Sequence, residues 1–283
     1  MKIIKTPETL SRYLKKLKSR GNSIGFIPTM GALHEGHLSL IRAARQENKI
    51  TVVSIFVNPA QFSPKEDLKK YPRPLKKDLT FCRKEKVDCV FSPRAKDMYP
   101  EGFSTYTCVE GLSERLCGRA RPGHFRGVAT IVLKFFNIIR PDTAYFGQKD
   151  AQQAIIIRRM VKDLNVPVKI KVMPTVRGEG GLALSSRNIY MSALEMQDSL
   201  VLFKALNLAK VLINGGLRNA SRIISRMKEL INRKQHAKID FVAIVDARDL
   251  KPLKTISGDY LIALAVRIGK TRLIDNFQGR LLI

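Results

Sequence analysis

What most constrains this chain is a series of apolar runs of strand length, at 23–28, 50–57, 87–91, 143–146 and 166–173, separated by segments with helical spacing. A strand that faces water on one side alternates polar and apolar residues, whereas these runs, apart from Lys169 and Lys171 in the last, are apolar nearly throughout and must be covered on both faces. Strands joined through helices lie parallel, because a parallel connection needs a long crossover. The pattern therefore predicts an α/β domain built on a doubly wound, Rossmann-like parallel sheet. Its helices are expected from Thr6, a cap followed by Pro7, to about residue 20, and at 75–86, 128–139 and 151–165.

After Pro174 the alternation stops. Arg177-Gly178-Glu179-Gly180-Gly181 is followed by Ser192-Ala193-Leu194-Glu195, a capping box that opens a long helix to about residue 214, ended by Gly215-Gly216. A second helix at 219–234 precedes strands near 239–245, 260–266 and 271–275. Helices followed by strands predict a smaller carboxyl-terminal α+β domain, so the expected division is 1–176 and 177–283.

The first strand runs into Thr29-Met30-Gly31-Ala32-Leu33-His34-Glu35-Gly36-His37, and helical spacing resumes at 38–44. At such a junction the first N–H groups of the helix lack partners and carry the positive end of its dipole, which suits phosphate oxygens. Gly31 and Gly36 permit close approach. His34 and His37 can donate hydrogen bonds to charge developing on a phosphorus or a leaving pyrophosphate. The chain has four histidines and half of them fall in this turn, which favours function over surface packing.

Ligands of doubly wound sheets sit beyond the carboxyl ends of strands. Residues there include Gln61, in Phe56-Val57-Asn58-Pro59-Ala60-Gln61-Phe62, which could serve a hydroxyl or carboxylate but from this segment alone reads more readily as a surface amide. Gly147-Gln148-Lys149-Asp150 suits phosphate and ribose, or is a routine helix start with Asp150 as its cap. Leu184-Ser185-Ser186-Arg187 offers hydroxyls and a guanidinium for a mobile polyphosphate clamp, or is an ordinary interdomain loop. His124, in Arg121-Pro122-Gly123-His124-Phe125-Arg126-Gly127, reads more readily as a packed structural residue.

Composition narrows the class. With 283 residues and 45% hydrophobic content the chain can bury a large core, and no apolar stretch approaches membrane-spanning length. The start of the chain lacks the apolar segment of a signal peptide, and Cys82, Cys89, Cys108 and Cys117 have no close-paired spacing. Cytoplasmic residence with reduced thiols is expected. Lys and Arg outnumber Asp and Glu 51 to 24, a net charge of +27. These cations are spread in short groups such as Lys15-Lys16-Leu17-Lys18, without a clustered arm or stacking aromatics, so general surface bias outweighs a nucleic-acid role.

Taken in order, seven segments resemble those of the pantoate–beta-alanine ligases, the pantothenate synthetase family. They are Pro28-Thr29-Met30-Gly31-Ala32-Leu33-His34-Glu35-Gly36-His37, Phe56-Val57-Asn58-Pro59-Ala60-Gln61-Phe62, Tyr71-Pro72-Arg73, Pro122-Gly123-His124-Phe125-Arg126-Gly127-Val128, Tyr145-Phe146-Gly147-Gln148-Lys149-Asp150-Ala151-Gln152-Gln153, Leu182-Ala183-Leu184-Ser185-Ser186-Arg187-Asn188 and Gly269-Lys270-Thr271-Arg272-Leu273-Ile274-Asp275-Asn276. They span nearly the whole chain. The histidine turn alone is shared more loosely by HxGH nucleotidyltransferases and class I aminoacyl-tRNA synthetases, whereas the ordered set is specific to the family.

The resemblance implies an HxGH nucleotidyltransferase-type fold and an ATP-dependent ligase. Pantoate would attack the α-phosphorus of ATP, releasing pyrophosphate, and the beta-alanine amine would displace AMP from pantoyl adenylate. It implies ATP contacts from Met30, Gly31, Ala32, Leu33, His34, Glu35, Gly36 and His37, from Gly147, Gln148, Lys149 and Asp150, from Val176 at the adenine, and from Leu184, Ser185, Ser186 and Arg187 over the triphosphate. Catalytic roles fall on His37, as proton donor, on His34 and on Lys149. Gln61 and Gln153 would hold pantoate, with Gln61 also meeting beta-alanine. Mg2+ would be held mainly through ATP phosphates, with no protein ligand assigned, and the assembly would be a homodimer with no membrane or specific nucleic-acid partner. Two departures stand out. Lys76-Lys77 precede Asp78 where the family has acids, which puts a metal or subunit role there in doubt, and 177–181 lacks the usual hinge proline and aspartate. Another HxGH nucleotidyltransferase and a basic RNA-binding protein are the alternatives.

Overall fold

Six parallel strands form the larger sheet, in the order β1-β4-β3-β2-β5-β6. The computed structural model describes residues 1–63, 66 and 68–281. In chain order the elements begin β1 (Lys2–Ile4), α1 (Pro7–Lys18), β2 (Ile24–Thr29), α2 (Glu35–Glu47) and β3 (Ile50–Ile55). There follow α3 (Leu75–Lys84), β4 (Cys89–Phe91), α4 (Ala95–Met98), α5 (Cys117–Ala120), α6 (His124–Ile139), β5 (Thr143–Gly147), α7 (Ala151–Asp163) and β6 (Lys169–Met173). From β2 the sheet grows one way through β3 and β4 and the other way through β5 and β6, so the strand order reverses between β2 and β5. Such a reversal leaves a crevice outside the strand ends, where ligands of open α/β sheets bind.

Alternate residues of the strands bury opposite faces. Ile27, Val53 and Val90 pack with Leu38 and Ile41 of α2 and Cys82 of α3. On the other face Phe135 of α6 meets the edges of Phe26, Phe91 and Phe56, with ring centroids 5.6, 6.0 and 6.3 Å away. Each such buried side chain contributes about 1.5–3 kcal/mol. Burial on both faces is the reason these strands carry continuous apolar sequence.

The smaller sheet is an antiparallel meander, β7 (Ala237–Asp246), β8 (Gly258–Ile268) and β9 (Thr271–Leu281), in that order. Before it come α8 (Ala193–Ser199), α9 (Val201–Asn214) and α10 (Ala220–Asn232). Leu202 and Leu206 of α9, Ile223 and Met227 of α10 and Ile262 and Leu264 of β8 share one core. Ser192 caps α8, accepting from Glu195 N–H at 3.3 Å while Glu195 returns to Ser192 N–H at 2.8 Å. The single long helix expected from there is two, α8 and α9, separated at Leu200, whose backbone stays in the right-handed helical region.

The chain divides into two compact units. One comprises Met1–Ser113, Arg121–Gly147 and Ile156–Pro174, and the other Glu114–Ala120, Gln148–Ile155 and the chain from Thr175 onward. Where one cut at 176/177 was expected, the units interleave along the chain, because two short segments of the expected 1–176 domain, 114–120 and 148–155, group with the second unit. Another difference is that α6 begins at His124, ahead of the apolar run expected from 128, so His124 and Arg126 are helical residues.

Candidate active site

The loop between β2 and α2 closes on itself. Gly31 N–H donates to Thr29 Oγ1 at 3.2 Å, and the N–H groups of Ala32 and Leu33 donate to the two carboxylate oxygens of Asp78 at 2.9 and 2.8 Å. Asp78 lies on α3 and is buried. Burial holds its carboxyl above the usual carboxylate range, against the pull of those two N–H groups and of Lys77. Gly31 has φ +84°, and a Cβ there would come within 2.9 Å of Asp78 Oδ2, so the turn admits no larger residue without strain.

The two histidines cap the helix. His34 Nδ1 accepts from Gly36 N–H at 3.2 Å, and His37 Nδ1 accepts from His34 N–H at 3.3 Å. Their spacing is that of a capping box, with imidazoles in place of a hydroxyl and a carboxylate. Because a backbone N–H points at each Nδ1, each neutral ring carries its proton on Nε2. The ring centroids are 4.2 Å apart.

This geometry corrects one expectation from the sequence. Orphan amides were to grip the phosphates, yet the N–H groups of Gly31, Ala32, Leu33, His34, Gly36 and His37 all have acceptors within the first unit. The loop offers imidazole N–H groups in their place. Glu35 is turned onto Arg42, which also binds Glu85.

Gln61 ends a single 3₁₀ turn, Pro59–Gln61, beyond β3. The amide of buried Asn58 orients it: Asn58 Nδ2 donates to Gln61 Oε1 and to Gly127 O, both at 3.1 Å, while Asn58 Oδ1 accepts from Tyr99 OH at 2.6 Å. Gln61 therefore presents its NH2 end, with Nε2 3.1 Å from Met30 Sδ. A Cβ on Gly127 would lie 2.2 Å from Ala60 O, so α6 approaches this turn as closely as only glycine allows. His124 Nδ1 is 2.8 Å from Gln61 O and must be the donor, since a carbonyl only accepts. Arg121 joins His124 Nε2, at 3.1 Å, to Glu66, at 2.6 Å. A cavity of about 310 Å3 beyond β3 and β4 is lined by Met30, Gly31, Phe56, Arg73 and Asp78, but not by Gln61 or either loop histidine.

In the second unit, Gln148, Lys149 and Asp150 form a 3₁₀ turn, and Lys149 Nζ lies 3.5 Å from Asp150 Oδ1. Asn276 of β9 donates to the carbonyls of Gln148 and Lys149, both at 2.9 Å, and accepts from Gln148 Nε2 at 3.1 Å. Gln153 falls in the first turn of α7, beside Gln152, whose amide accepts from Cys117 N–H at 3.0 Å and donates to Arg115 O at 2.7 Å. Leu184 N–H donates to Val176 O at 3.1 Å, which brings these two positions together and makes 176–184 a tight hairpin-like loop. Ser185 Oγ accepts from Arg187 N–H at 3.3 Å. Arg177 holds Asp275 through two bonds, of 2.7 and 3.0 Å, and stacks on Phe203 at 4.5 Å.

Sequence reasoning missed Asn58, Tyr99 and Asn276 as positioning side chains and discounted Asp78. The signal available for Asp78 was a lone acid in a basic amphipathic helix, and for Asn276 an asparagine inside a strand. Among the described residues no group of three or more His, Cys, Asp or Glu side chains could hold a metal ion, and no helix is long and apolar enough to cross a membrane. None of the four cysteines is in a disulfide, and burial pushes the Cys82 and Cys89 thiols up to about 12.

A parallel sheet whose order reverses beside an HxGH turn defines a nucleotidyltransferase-type fold. The family model for pantoate-beta-alanine ligase matches residues 2–278. The pantothenate synthetase of Moorella thermoacetica is 53% identical over 276 residues, 98% of either chain. The crystal structure of pantothenate synthetase from Thermus thermophilus superposes with a TM-score of 0.93 at 41% identity, covering 98% of this chain and 99% of that one. A Francisella tularensis pantoate-beta-alanine ligase, described as complexed with beta-gamma ATP and beta-alanine, has a TM-score of 0.79 at 34% identity over 98% of this chain and 97% of its own. This chain belongs to the pantoate-beta-alanine ligase family and is a ligase. Neither alternative, another HxGH nucleotidyltransferase or a basic RNA-binding protein, is favoured by these matches.

Proposed function

We propose that the protein condenses pantoate with beta-alanine to give pantothenate, AMP and pyrophosphate, through a pantoyl adenylate formed at the HxGH loop. The observation that carries this reading is the pair of imidazoles whose Nδ1 atoms are both occupied by backbone N–H groups, so that both rings offer Nε2–H. In nucleotidyl transfer little covalent work falls to the protein, and positioned donors that meet developing charge carry much of the barrier reduction. His37 acts as the proton donor toward the departing pyrophosphate and His34 supports it. Met30, Gly31, Ala32, Leu33, Glu35 and Gly36 line the same ATP segment.

Gln61, whose NH2 end lies beside Met30 Sδ, donates to a pantoate oxygen, and Gln153 supplies the second amide. Neutral amides suit a carboxylate and hydroxyls, whereas a phosphorylated acceptor would require further cations. Gln61 also meets beta-alanine in the second step. Lys149 neutralises phosphate charge, Asp150 takes a ribose hydroxyl, and Gly147 and Gln148 complete that turn. Val176 contacts adenine, and Leu184, Ser185, Ser186 and Arg187 close over the triphosphate and shield the acyl adenylate from water. The acids nearest the loop are already engaged, Asp78 by two amides and Glu35 by Arg42. Mg2+ would therefore arrive on ATP oxygens, where it offsets phosphate charge. A cytoplasmic homodimer is part of the same reading, and light scattering at working concentration tests the dimer.

Pantoate carrying 18O in its carboxylate tests the route. The attacking oxygen becomes part of AMP when the amine displaces it, so AMP should gain one labelled oxygen. Unlabelled AMP formed alongside pantothenate contradicts an adenylate.

A further inference from the structure

The segment 269–276 belongs to the ordered set of family-like motifs, yet nothing in the ligation just described uses it. We infer that Asn276 is a positioning residue for Lys149: its side-chain amide grips the backbone of the Gln148–Lys149 turn from behind and thereby sets where the Lys149 ammonium can reach. This rests on the reading that Lys149 meets ATP phosphate.

The geometry is specific. The Asn276 NH2 donates to two successive carbonyls, Gln148 O and Lys149 O, both at 2.9 Å, and Asn276 Oδ1 accepts from Gln148 Nε2 at 3.1 Å. All three bonds go to one short turn, and Asn276 itself is 6% exposed. An amide is the side chain whose donor and acceptor ends can serve this set together. A 3₁₀ turn of three residues has few backbone hydrogen bonds of its own, and the Asn276 amide adds three more.

The neighbouring residue shows why this strand suits the task. Successive side chains of β9 point to opposite faces. Asp275, 2% exposed, takes Arg177 through two bonds on one side, while Asn276 takes the Lys149 turn on the other. Asn276 N–H also donates to Asp275 Oδ1 at 2.8 Å, which ties the two devices together. The β9 backbone is held along its length by β8. The turn carrying Lys149 is thus fastened to the core of the second unit.

Asn276→Asp tests this, because it keeps the acceptor for Gln148 and replaces the NH2 by an oxygen that faces two carbonyls. Misplacing a charged group by about 1 Å costs up to roughly a hundredfold in rate, so adenylation kcat should fall about tenfold to hundredfold while the pantoate KM stays near its original value. Asn276→Ser, which introduces no charge, should fall in the same direction and guards against a folding failure of the first variant. The decisive readout is the combination with Lys149→Ala. If Asn276 acts through Lys149, adding Asn276→Asp to Lys149→Ala slows the reaction little further, because the group being positioned is already gone. Fully multiplicative losses, or near-normal adenylation by both Asn276 variants while Lys149→Ala is slow, overturn the inference. Near-normal adenylation by Lys149→Ala overturns the role given to Lys149 itself, and the inference with it.

Discussion

Around His34 the polypeptide engages its backbone N–H groups with its own acceptors, whereas around Lys149 it is the carbonyls that are anchored, to Asn276. Both segments start a helix and both are assigned to ATP. Their difference teaches that a helix N-terminus is not in itself a phosphate site. In the HxGH loop the dipole end is filled by imidazole Nδ1 atoms and the preceding amides by a buried carboxylate. Under the proposed function the chemistry falls to ring Nε2–H groups, whose positions the capping box fixes. In the 148–150 turn the working group of the proposed function is the Lys149 ammonium, at the end of a long side chain, and the turn that carries it is held from behind. The first arrangement suits charge that appears only in the transition state, and the second suits charge present throughout.

If the first region acts in the transition state, His37→Ala should slow pantoyl adenylate formation by about two to three orders of magnitude with little change in ATP KM. A rise in ATP KM at unchanged kcat would instead make the loop a ground-state binding element like its counterpart, and the contrast would disappear. Gln61→Ala removes a neutral donor to a charged acceptor. We expect kcat/KM for pantoate to fall about tenfold to hundredfold with ATP KM preserved, measured by steady-state kinetics with each substrate varied. An equal effect on ATP would relocate Gln61.

Asp78→Asn probes how far the closure of the loop on itself matters. It leaves one acceptor facing two amide donors, so stability should drop by about 1–3 kcal/mol and adenylation by about tenfold, followed by denaturant unfolding and initial rates. Tighter ATP binding in this variant would mean that the carboxylate competes with phosphate for those amides. The smallest expected effect is in pH. Burial raises the folded carboxyl of Asp78, so between its ordinary and raised values the folded protein binds more protons than the unfolded chain, and this group's contribution to stability declines as pH rises. The stability gap between the original protein and Asp78→Asn should therefore narrow as pH rises from about 4, the ordinary carboxylate value. A widening gap contradicts the sign.

The sheet was legible because β2, β3 and β5 are covered on both faces and carry runs that no amphipathic element would. Helix starts with local signatures were legible too, as at Thr6 and at Ser192 with Glu195. What escaped depends on partners distant in sequence. β1 has three residues and buries only Ile4, so its place beside β4 leaves no pattern. Asp78 follows two lysines on a basic helix, and nothing local says that its carboxylate reaches residues 32 and 33. Asn58, Tyr99 and Asn276 likewise act through contacts set by packing. The fate of the loop amides was hidden for a different reason. It depends on where each imidazole points, and the sequence shows a histidine without showing which nitrogen faces the backbone.

The central claim is that this loop activates a carboxylate on the nucleotide before any amine takes part. Exchange of labelled pyrophosphate into ATP, with pantoate present and beta-alanine withheld, tests it most directly. The account predicts exchange that requires pantoate and is largely lost in His37→Ala. Exchange that begins only when beta-alanine is added, or that persists undiminished in the variant, contradicts it.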